Sequence, residues 1–226
     1  MKFDKHEIKI LKTSRPLIIE VGAHYGEDSM KFLKYFRDAR LYCFEPDPRN
    51  IFVFKKHIED ERVTLIEAAV SDSNSQNVDF YQCYLADFDA DKMLKKYHWI
   101  SEDDYIGLNL NRSGASSLKR GHPAVADAEV IKVDTVRLDT WARQQGISHI
   151  DMLWIDVQGA ERQVIEGAEG ILRNVDYIWI EYGETEYEGG MTRQETIDLL
   201  GDSFEVFKEN TRRFKKGDLL FRNTGL

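Results

Sequence analysis

Short apolar runs rich in β-branched and aromatic residues alternate along this 226-residue chain with stretches whose apolar positions recur at helical spacing. Runs that are apolar on both faces are typical of strands in a parallel sheet, which helices cover on both sides. The runs that predict such strands lie at 16–22, 40–46, 62–71, 149–159 and 175–183. Two later runs, at 204–210 and 217–223, predict a closing antiparallel pair.

Helical segments fill the intervals between these runs. The segment 47–58 carries a start signal, because Asp47 is a good N-cap and Pro48 suits the first helical turn. Within 159–173 the apolar residues repeat on one helical face. Further helices are predicted at 27–38 and 192–200. This alternation indicates an α/β fold with an open, doubly wound and mostly parallel Rossmann-like sheet.

The alternation is interrupted between about residue 74 and residue 135. This insertion starts with a strand-like run, "VDFYQCY", and continues into an acidic and aromatic region. Connections of this length are usually functional when they are ordered. Two interpretations remain open, an ordinary surface insertion and a wall or lid over a ligand site. The length of the whole chain suits a single domain spanning 1–226.

The charge balance narrows the class of protein. The chain has 31 Lys and Arg residues against 40 Asp and Glu residues, a formal net charge of −9. This balance disfavours nucleic acid as a partner, because nucleic-acid binding depends on neutralising phosphates. One basic stretch near the C terminus, "KENTRRFKKGDLLFR", predicts either a solvated hairpin or a contact with an acidic substrate or partner. The oligomeric state stays open.

Cysteine content and hydropathy suggest a compartment. Cys43 and Cys83 lie in apolar runs rather than in a spaced framework, which predicts buried thiols in a reducing environment. The first 16 residues mix charges and lack the apolar segment of a signal peptide. A run of about 18 apolar residues is also absent, so no membrane span is predicted. Together these features predict a cytoplasmic protein.

The stretch "EVGAHYGEDS" follows the first predicted strand and contains two glycines four positions apart, Gly22 and Gly26. A strand, a glycine turn and a helix together present backbone N–H groups to a ligand. The dinucleotide fingerprint needs a second glycine where His24 stands. Glu20 and Glu27 flank the turn and repel phosphate. A ligand that bears an ammonium group and a carboxylate tolerates these acids better.

Acidic residues end several of the predicted strands. Glu45 ends the second strand, where a carboxylate accepts both hydroxyl hydrogens of a ribose. At the end of the third strand, Ala69 is small enough to flank a flat base, and Asp72 is placed to meet its exocyclic amine. Asp156 closes an apolar run, and a buried acid there needs a partner. Glu45 as a solvated turn acid and Asp72 as a cap remain alternatives.

Several segments together resemble the FkbM family of S-adenosylmethionine (SAM)-dependent methyltransferases. They are "IIEVGAHYGEDS", "CFEPDP", "EAAVSD", "GASSL", "VDTVRLDTW" and "MLWIDVQGAERQVIEGAEGIL". The resemblance covers residues 17 to 183 in the family's order, and its most specific part is the "LDTW…IDVQGAE" block. The chain departs from the family at Gln158, where Glu is usual, and at Glu20, where Asp is frequent.

The resemblance implies a SAM site at the strand ends. The implied cofactor-binding residues are Glu20, Gly22, Ala23, Gly26, Glu45, Pro46, Ala69, Ser71, Asp72, Asp156 and Gln158. Candidate general bases are Asp156, Glu181, Glu161 and His24, although His24 equally suits a structural imidazole. By the same resemblance Ser116 and Ser117 border the substrate side. The Asp156 and Glu181 carboxylates also suit Mg²⁺, a possible second cofactor.

The predicted function is SAM-dependent O-methylation of a hydroxyl group on a sugar, glycan or natural product. The predicted partner is therefore a small-molecule or glycan acceptor. An NAD(P)-dependent oxidoreductase is one alternative, and His24 in the glycine turn speaks against it. The other alternative is a non-enzymatic nucleotide-binding scaffold.

Overall fold

The computed structural model describes residues 10–84, 95–121, 129–183, 187–212 and 216–225. Within these ranges the strands are β1 Leu17–Val21, β2 Arg40–Phe44, β3 Val63–Ile66, β4 Ala69–Val70, β5 Ser75–Gln82, β6 Glu129–Val136, β7 Ile150–Ile155, β8 Val175–Gly183, β9 Phe204–Arg212 and β10 Lys216–Asn223. The α-helices are α1 Glu27–Tyr35, α2 Pro48–His57, α3 Glu102–Gly107, α4 Leu138–Gln144, α5 Glu161–Leu172 and α6 Arg193–Leu200.

A seven-stranded sheet forms the centre of the structure, in the order β3-β2-β1-β7-β8-β10-β9. In this sheet β3, β2, β1, β7 and β8 are parallel to one another, whereas β10 pairs antiparallel with both β8 and β9. The predicted mostly parallel, Rossmann-like sheet with an antiparallel C-terminal pair is therefore confirmed. The predicted start of α2 is also confirmed, because Asp47 accepts a hydrogen bond from the Arg49 backbone with Pro48 in the first turn.

The structure differs from the predicted strands mainly at the third one. The run 62–71 was expected to form one strand, but it divides into β3 in the central sheet and β4 in a second sheet of order β4-β6-β5. β4 pairs in parallel with the end of β6, and the Ser71 backbone donates to the Val136 carbonyl. The insertion thus supplies the partners that draw β4 out of the central sheet.

The core lies on both faces of the central sheet. Ile19 and Val21 of β1 pack in one cluster with α5, whereas Ile18 packs in another cluster on the opposite face. In that second cluster the rings of Trp154 and Trp179 stack with centroids 3.8 Å apart. Burial on both faces is what the continuous apolar runs predict for parallel strands. This packing fixes the sheet, and the carboxyl ends of β1, β2 and β7 lie together along one edge of it.

Cys43 and Cys83 are both buried, as predicted. Among the helices that the structure describes, none is long and apolar enough to cross a membrane.

Candidate active site

The two glycines of the turn after β1 are required by neighbouring protein. Gly22 has φ of 87°, and a Cβ atom there would lie 1.9 Å from the carbonyl oxygen of Asp156. Gly26 has φ of 85°, and its Cβ would lie 2.1 Å from Cδ1 of Ile58. Close protein contacts therefore require both glycines, and the approach of a ligand to this turn remains a prediction. Gly22 lets the end of β1 approach the end of β7, and Gly26 lets the turn pack on the segment after α2.

A cavity opens beyond the carboxyl ends of β1, β2 and β7, where open α/β sheets bind ligands. We call it the first cavity. The predicted site residues that line it are Gly22, His24, Glu45, Pro46, Ala69, Ser116, Asp156 and Gln158. Phe80, Ser113, Ser116 and Leu118 of the insertion also line it. The insertion therefore forms a wall of the cavity, one of its two predicted roles.

Glu45 is buried and held by three donors at the rim of the first cavity. Its Oε2 accepts from the His24 backbone at 2.8 Å, and its Oε1 accepts from the Asp47 backbone at 2.9 Å. Asn50 donates to the same Oε1 from Nδ2 at 3.2 Å. Burial, and then the nearby Asp47 charge, raise the pKa of Glu45 to about 7. The alternative of a solvated turn acid does not fit this environment.

His24 joins the turn after β1 to the insertion. It adopts a left-handed conformation with φ of 52°. Its Nδ1 lies 3.1 Å from the Glu27 carboxylate, and its Nε2 lies 3.1 Å from Oγ of Ser113. Burial disfavours the charged ring, but the Glu27 carboxylate outweighs burial and raises the pKa of His24. Because both ring nitrogens have partners, the structure favours a structural imidazole over a free general base.

Asp156 and Glu181 lie at the ends of the adjacent strands β7 and β8. The side chain of Gln158 donates from Nε2 to both carboxylates, at 2.5 Å to Asp156 and 3.3 Å to Glu181. Burial, together with the Glu181 charge, raises the pKa of Asp156 to about 8. Burial also raises the pKa of Glu181, against the opposing effect of Arg212. The two acids thus form a coupled pair that holds a proton near neutral pH.

Glu161 lies apart from the first cavity. It is buried at the start of α5, where its Oε1 accepts from the Gly159 backbone at 3.1 Å. Burial raises the pKa of Glu161 to about 7, although backbone donors oppose this effect. Together with Gln158 and Glu181 it lines a separate small cavity beside Tyr187. These contacts favour a role in holding the turn between β7 and α5.

A second cavity adjoins the first and shares Gly22, His24 and Asp156 with it. Glu20 and Ala23 also line this second cavity. Glu20 is buried beneath the glycine turn and accepts a hydrogen bond from the Ser29 hydroxyl. Burial, and then the charge of Asp28, raise the pKa of Glu20 well above its usual range.

Four predicted site residues lie outside the lining of these cavities: Gly26, Ser71, Asp72 and Ser117. Asp72 is exposed and accepts a hydrogen bond from the Ser71 hydroxyl at 3.1 Å. Ser117 is buried and donates to the Val157 carbonyl at 3.3 Å. Cofactor contacts from Gly26, Ser71 and Asp72, and a substrate-side role for Ser117, remain predictions.

Sequence reasoning missed three polar residues of the site. Asn50 lines the first cavity, and its buried Oδ1 has no hydrogen-bond partner among the described residues. Tyr187 donates to Oε1 of Gln158 at 3.2 Å. Arg212 donates from Nη2 to Oε1 of Glu181 at 2.7 Å. Asn50 could have been found from the sequence, because it lies in the first turn of the helix predicted after Glu45. The contacts of Tyr187 and Arg212 depend on the fold.

The predicted Mg²⁺ pair, Asp156 and Glu181, does not have the environment of a cation site. Glu181 is already paired with the Arg212 guanidinium, and Gln158 spans the two carboxylates. Among the described residues, potential ligand atoms cluster instead at His149, Asp151 and Asp176, near the opposite ends of β7 and β8. A Mg²⁺ cofactor therefore has no support at the predicted position.

Comparison with known proteins agrees with this arrangement. The Methyltransferase FkbM domain family matches residues 20–214. The 2-O-methyltransferase NoeI of Sinorhizobium fredii is 32% identical over 232 residues, covering 100% of this chain and 87% of that protein.

Two solved structures share the fold. The first is a methyltransferase FkbM from Methylobacillus flagellatus, with a TM-score of 0.53 and 11% identity over 92% of this chain and 44% of that chain. The second is a fibrillarin/Nop5p complex, with a TM-score of 0.51 and 8% identity over 93% of this chain and 74% of that chain. Given the family match over most of its length, this chain belongs to the FkbM family of SAM-dependent methyltransferases.

Proposed function

We propose that this enzyme transfers the methyl group of SAM to a hydroxyl oxygen of a sugar, either free or within a glycan or natural product. The observation that carries the proposal is the coupled Asp156–Glu181 pair, whose first member lines the first cavity. Such a pair suits an acceptor that must lose a proton. The 2-O-methyltransferase relative supports oxygen as the acceptor atom.

The residues of the first cavity fit an adenosyl cofactor. The cavity lies beyond the carboxyl ends of the parallel strands and is lined by apolar side chains with a few polar groups, as small-molecule sites are. The Glu45 carboxylate is fixed by the protein and has one free lone pair, on Oε2, that suits a ribose hydroxyl. The buried Oδ1 of Asn50, without a partner in the described part of the chain, suits a hydroxyl or amino donor of adenosine. Glu20 and Asp156 suit an ammonium group where the two cavities meet.

When bound, SAM supplies a methyl group that its sulfonium has already activated. The tasks of the protein are then to align the acceptor oxygen, to exclude water and to accept a proton. The Asp156–Glu181 pair accepts the proton that the acceptor hydroxyl loses as its oxygen is methylated. General-base assistance of this kind contributes about 10²–10⁴-fold in rate.

A methyl-transfer assay tests this proposal. Purified protein is incubated with SAM and a panel of mono- and oligosaccharides, and the products are analysed by mass spectrometry and NMR. We expect an O-methylated sugar, formed at a rate reduced at least a hundredfold in Asp156→Asn. Asp198→Asn, an exposed change on α6, is the matched control and retains full activity. Methylation of amines with no product from any hydroxyl, or full turnover by Asp156→Asn, contradicts the proposal.

A further inference from the structure

The C-terminal hairpin places a cation beside the Asp156–Glu181 pair. In the central sheet β10 lies between β8 and β9, and Asp218 of β10 is paired in register with Glu181 of β8. Arg212, the last residue of β9, reaches across β10 to Glu181.

Arg212 forms two short ion pairs through one nitrogen. Its Nη2 lies 2.7 Å from Oε1 of Glu181 and 2.5 Å from Oδ1 of Asp218. The Asp218 side chain is 1% exposed and the Glu181 side chain is 15% exposed, so solvent screens these charges poorly. Nε of Arg212 is buried and has no hydrogen-bond partner within the described ranges. The guanidinium is therefore committed to the two acids.

The two oxygens of Glu181 have different partners. Oε1 accepts from Arg212, whereas Oε2 accepts from Gln158, which also donates to Asp156. Among the residues that the structure describes, the charged groups that act on Glu181 are Arg212 on β9, Asp218 on β10, Asp156 after β7 and Glu161 on α5. Of these groups only Arg212 is positive.

This distribution decides which acid of the pair carries the proton. Burial raises the pKa of both acids, but the Arg212 charge lowers the pKa of Glu181. The Glu181 charge in turn raises the pKa of Asp156 to about 8 after burial. The Arg212 cation therefore favours the ionised form of Glu181, and the proton of the pair is favoured on Asp156.

We propose that Arg212 is a positioning residue, which keeps Glu181 ionised and orients it toward Gln158 and Asp156. Asp156, which lines the first cavity, then takes the proton of the acceptor hydroxyl and passes its own proton to Glu181, whose carboxylate becomes a carboxylic acid in that step. The proton-transfer part of this inference rests on the proposed function. The effect of Arg212 on Glu181 does not.

The first experiment is a titration that needs no turnover. Side-chain carboxyl signals of ¹³C-labelled protein are followed by NMR from pH 4 to 9, with Glu181→Gln identifying the Glu181 signal. Arg212→Met is expected to raise the apparent pKa of Glu181 by about one unit or more, because an adjacent cation is lost. Arg212→Lys retains the charge and keeps most of the wild-type value. Arg222→Met is the matched control, since Arg222 pairs with Glu205 at the far end of the same hairpin.

The second experiment measures methyl transfer against pH in the same variants. In Arg212→Met the acid limb of the kcat/KM profile is expected to shift to higher pH by about as much as the pKa of Glu181 rises. At pH 7 kcat/KM is expected to fall at least tenfold. The affinity of Arg212→Met for S-adenosylhomocysteine stays within twofold of wild type. The Arg222→Met profile is expected to match wild type.

An unshifted Glu181 titration in folded Arg212→Met overturns the proposal, even if thermal stability falls. If Arg212→Met does not fold, Asp218→Asn decides instead. Loss of that negative charge is expected to lower the apparent pKa of Glu181, and a rise or no change overturns the proposal. If wild-type protein methylates no acceptor, the proposed function fails, while the titration still decides the effect of Arg212 on Glu181.

Discussion

At the scale of single residues, Glu45 connects the end of β2 to the turn after β1. Its two oxygens accept backbone hydrogen bonds from His24 and Asp47, so its orientation is fixed by the protein. Asn50 also donates to Oε1, so one lone pair, on Oε2, is left for a ligand in the first cavity.

We expect Glu45→Gln to weaken S-adenosylhomocysteine binding by roughly 10- to 100-fold, because a hydrogen bond to a charged group is worth about 1.5–3 kcal/mol. Isothermal titration calorimetry measures the change directly. Glu67→Gln is the control, since Glu67 is exposed and pairs with Lys55 on the surface. An unchanged Kd in Glu45→Gln shows that this carboxylate does not hold the cofactor.

Residue-level prediction from sequence worked where the chemistry is local. Glu45 and Asp156 end apolar runs, and both line the first cavity. Arg212 was visible only as part of a basic stretch, because its pairing with Glu181 requires β10 to lie between β8 and β9. The glycine pair was located from the sequence, but the protein contacts that require Gly22 and Gly26 were not, since distant segments make them.

At the scale of elements, α5 packs tightly against the end of β4. A Cβ atom on Gly167 of α5 would lie 2.0 Å from the Ser71 carbonyl oxygen. The helix therefore depends on this glycine for its position, and the position of α5 sets that of Glu161 and of the turn after β7.

We expect Gly167→Ala to destabilise the protein by about 1–3 kcal/mol, which lowers Tm by roughly 3–10 °C. The opposing atom is backbone and has little freedom to move. Gly107→Ala is the matched control, because a Cβ there meets nothing within 4 Å. Thermal unfolding, monitored by circular dichroism, gives the Tm values of the Gly167→Ala and Gly107→Ala variants. Equal Tm values would contradict the close contact at Gly167.

The bounds of most elements followed from the apolar pattern, and β8 was predicted at 175–183 as observed. The division between β3 and β4 did not follow. Residues 62–71 form one continuous strand-like run, and nothing local marks the break. The break depends on β6, which lies some 60 residues further along the chain and offers β4 a partner. Pairing at such a distance is not encoded in the period of the pattern.

At the scale of the whole molecule, buried acids concentrate at one edge of the central sheet. Burial raises the pKa values of Glu45 and Glu161 to about 7 and that of Asp156 to about 8. Between their unfolded values and these folded values, the folded protein retains protons that the unfolded chain has released. The free energy of unfolding therefore falls as pH rises through this window.

For the ligand-free protein we expect Tm to decrease as the pH is raised from about 5 to about 8. His24 contributes in the same direction, because its raised pKa favours the charged ring in the folded state. Asp156→Asn removes one of the retained protons and is expected to flatten the decrease. Calorimetric scans of wild-type protein and Asp156→Asn at several pH values measure the change of Tm with pH. A Tm that rises steadily with pH in both proteins contradicts these pKa directions.

The central claim is that the first cavity binds the adenosyl cofactor of a methyltransferase. The most direct measurement is thermal unfolding of wild-type protein at pH 7 with S-adenosylhomocysteine, SAM, NAD or NADP. A ligand at 100 times its Kd adds about 2.7 kcal/mol, a Tm rise of roughly 5–10 °C for a chain of this size. We predict that rise with S-adenosylhomocysteine and SAM, and none with NAD or NADP. A shift with NAD or NADP alone, or with none of the four, would contradict the claim.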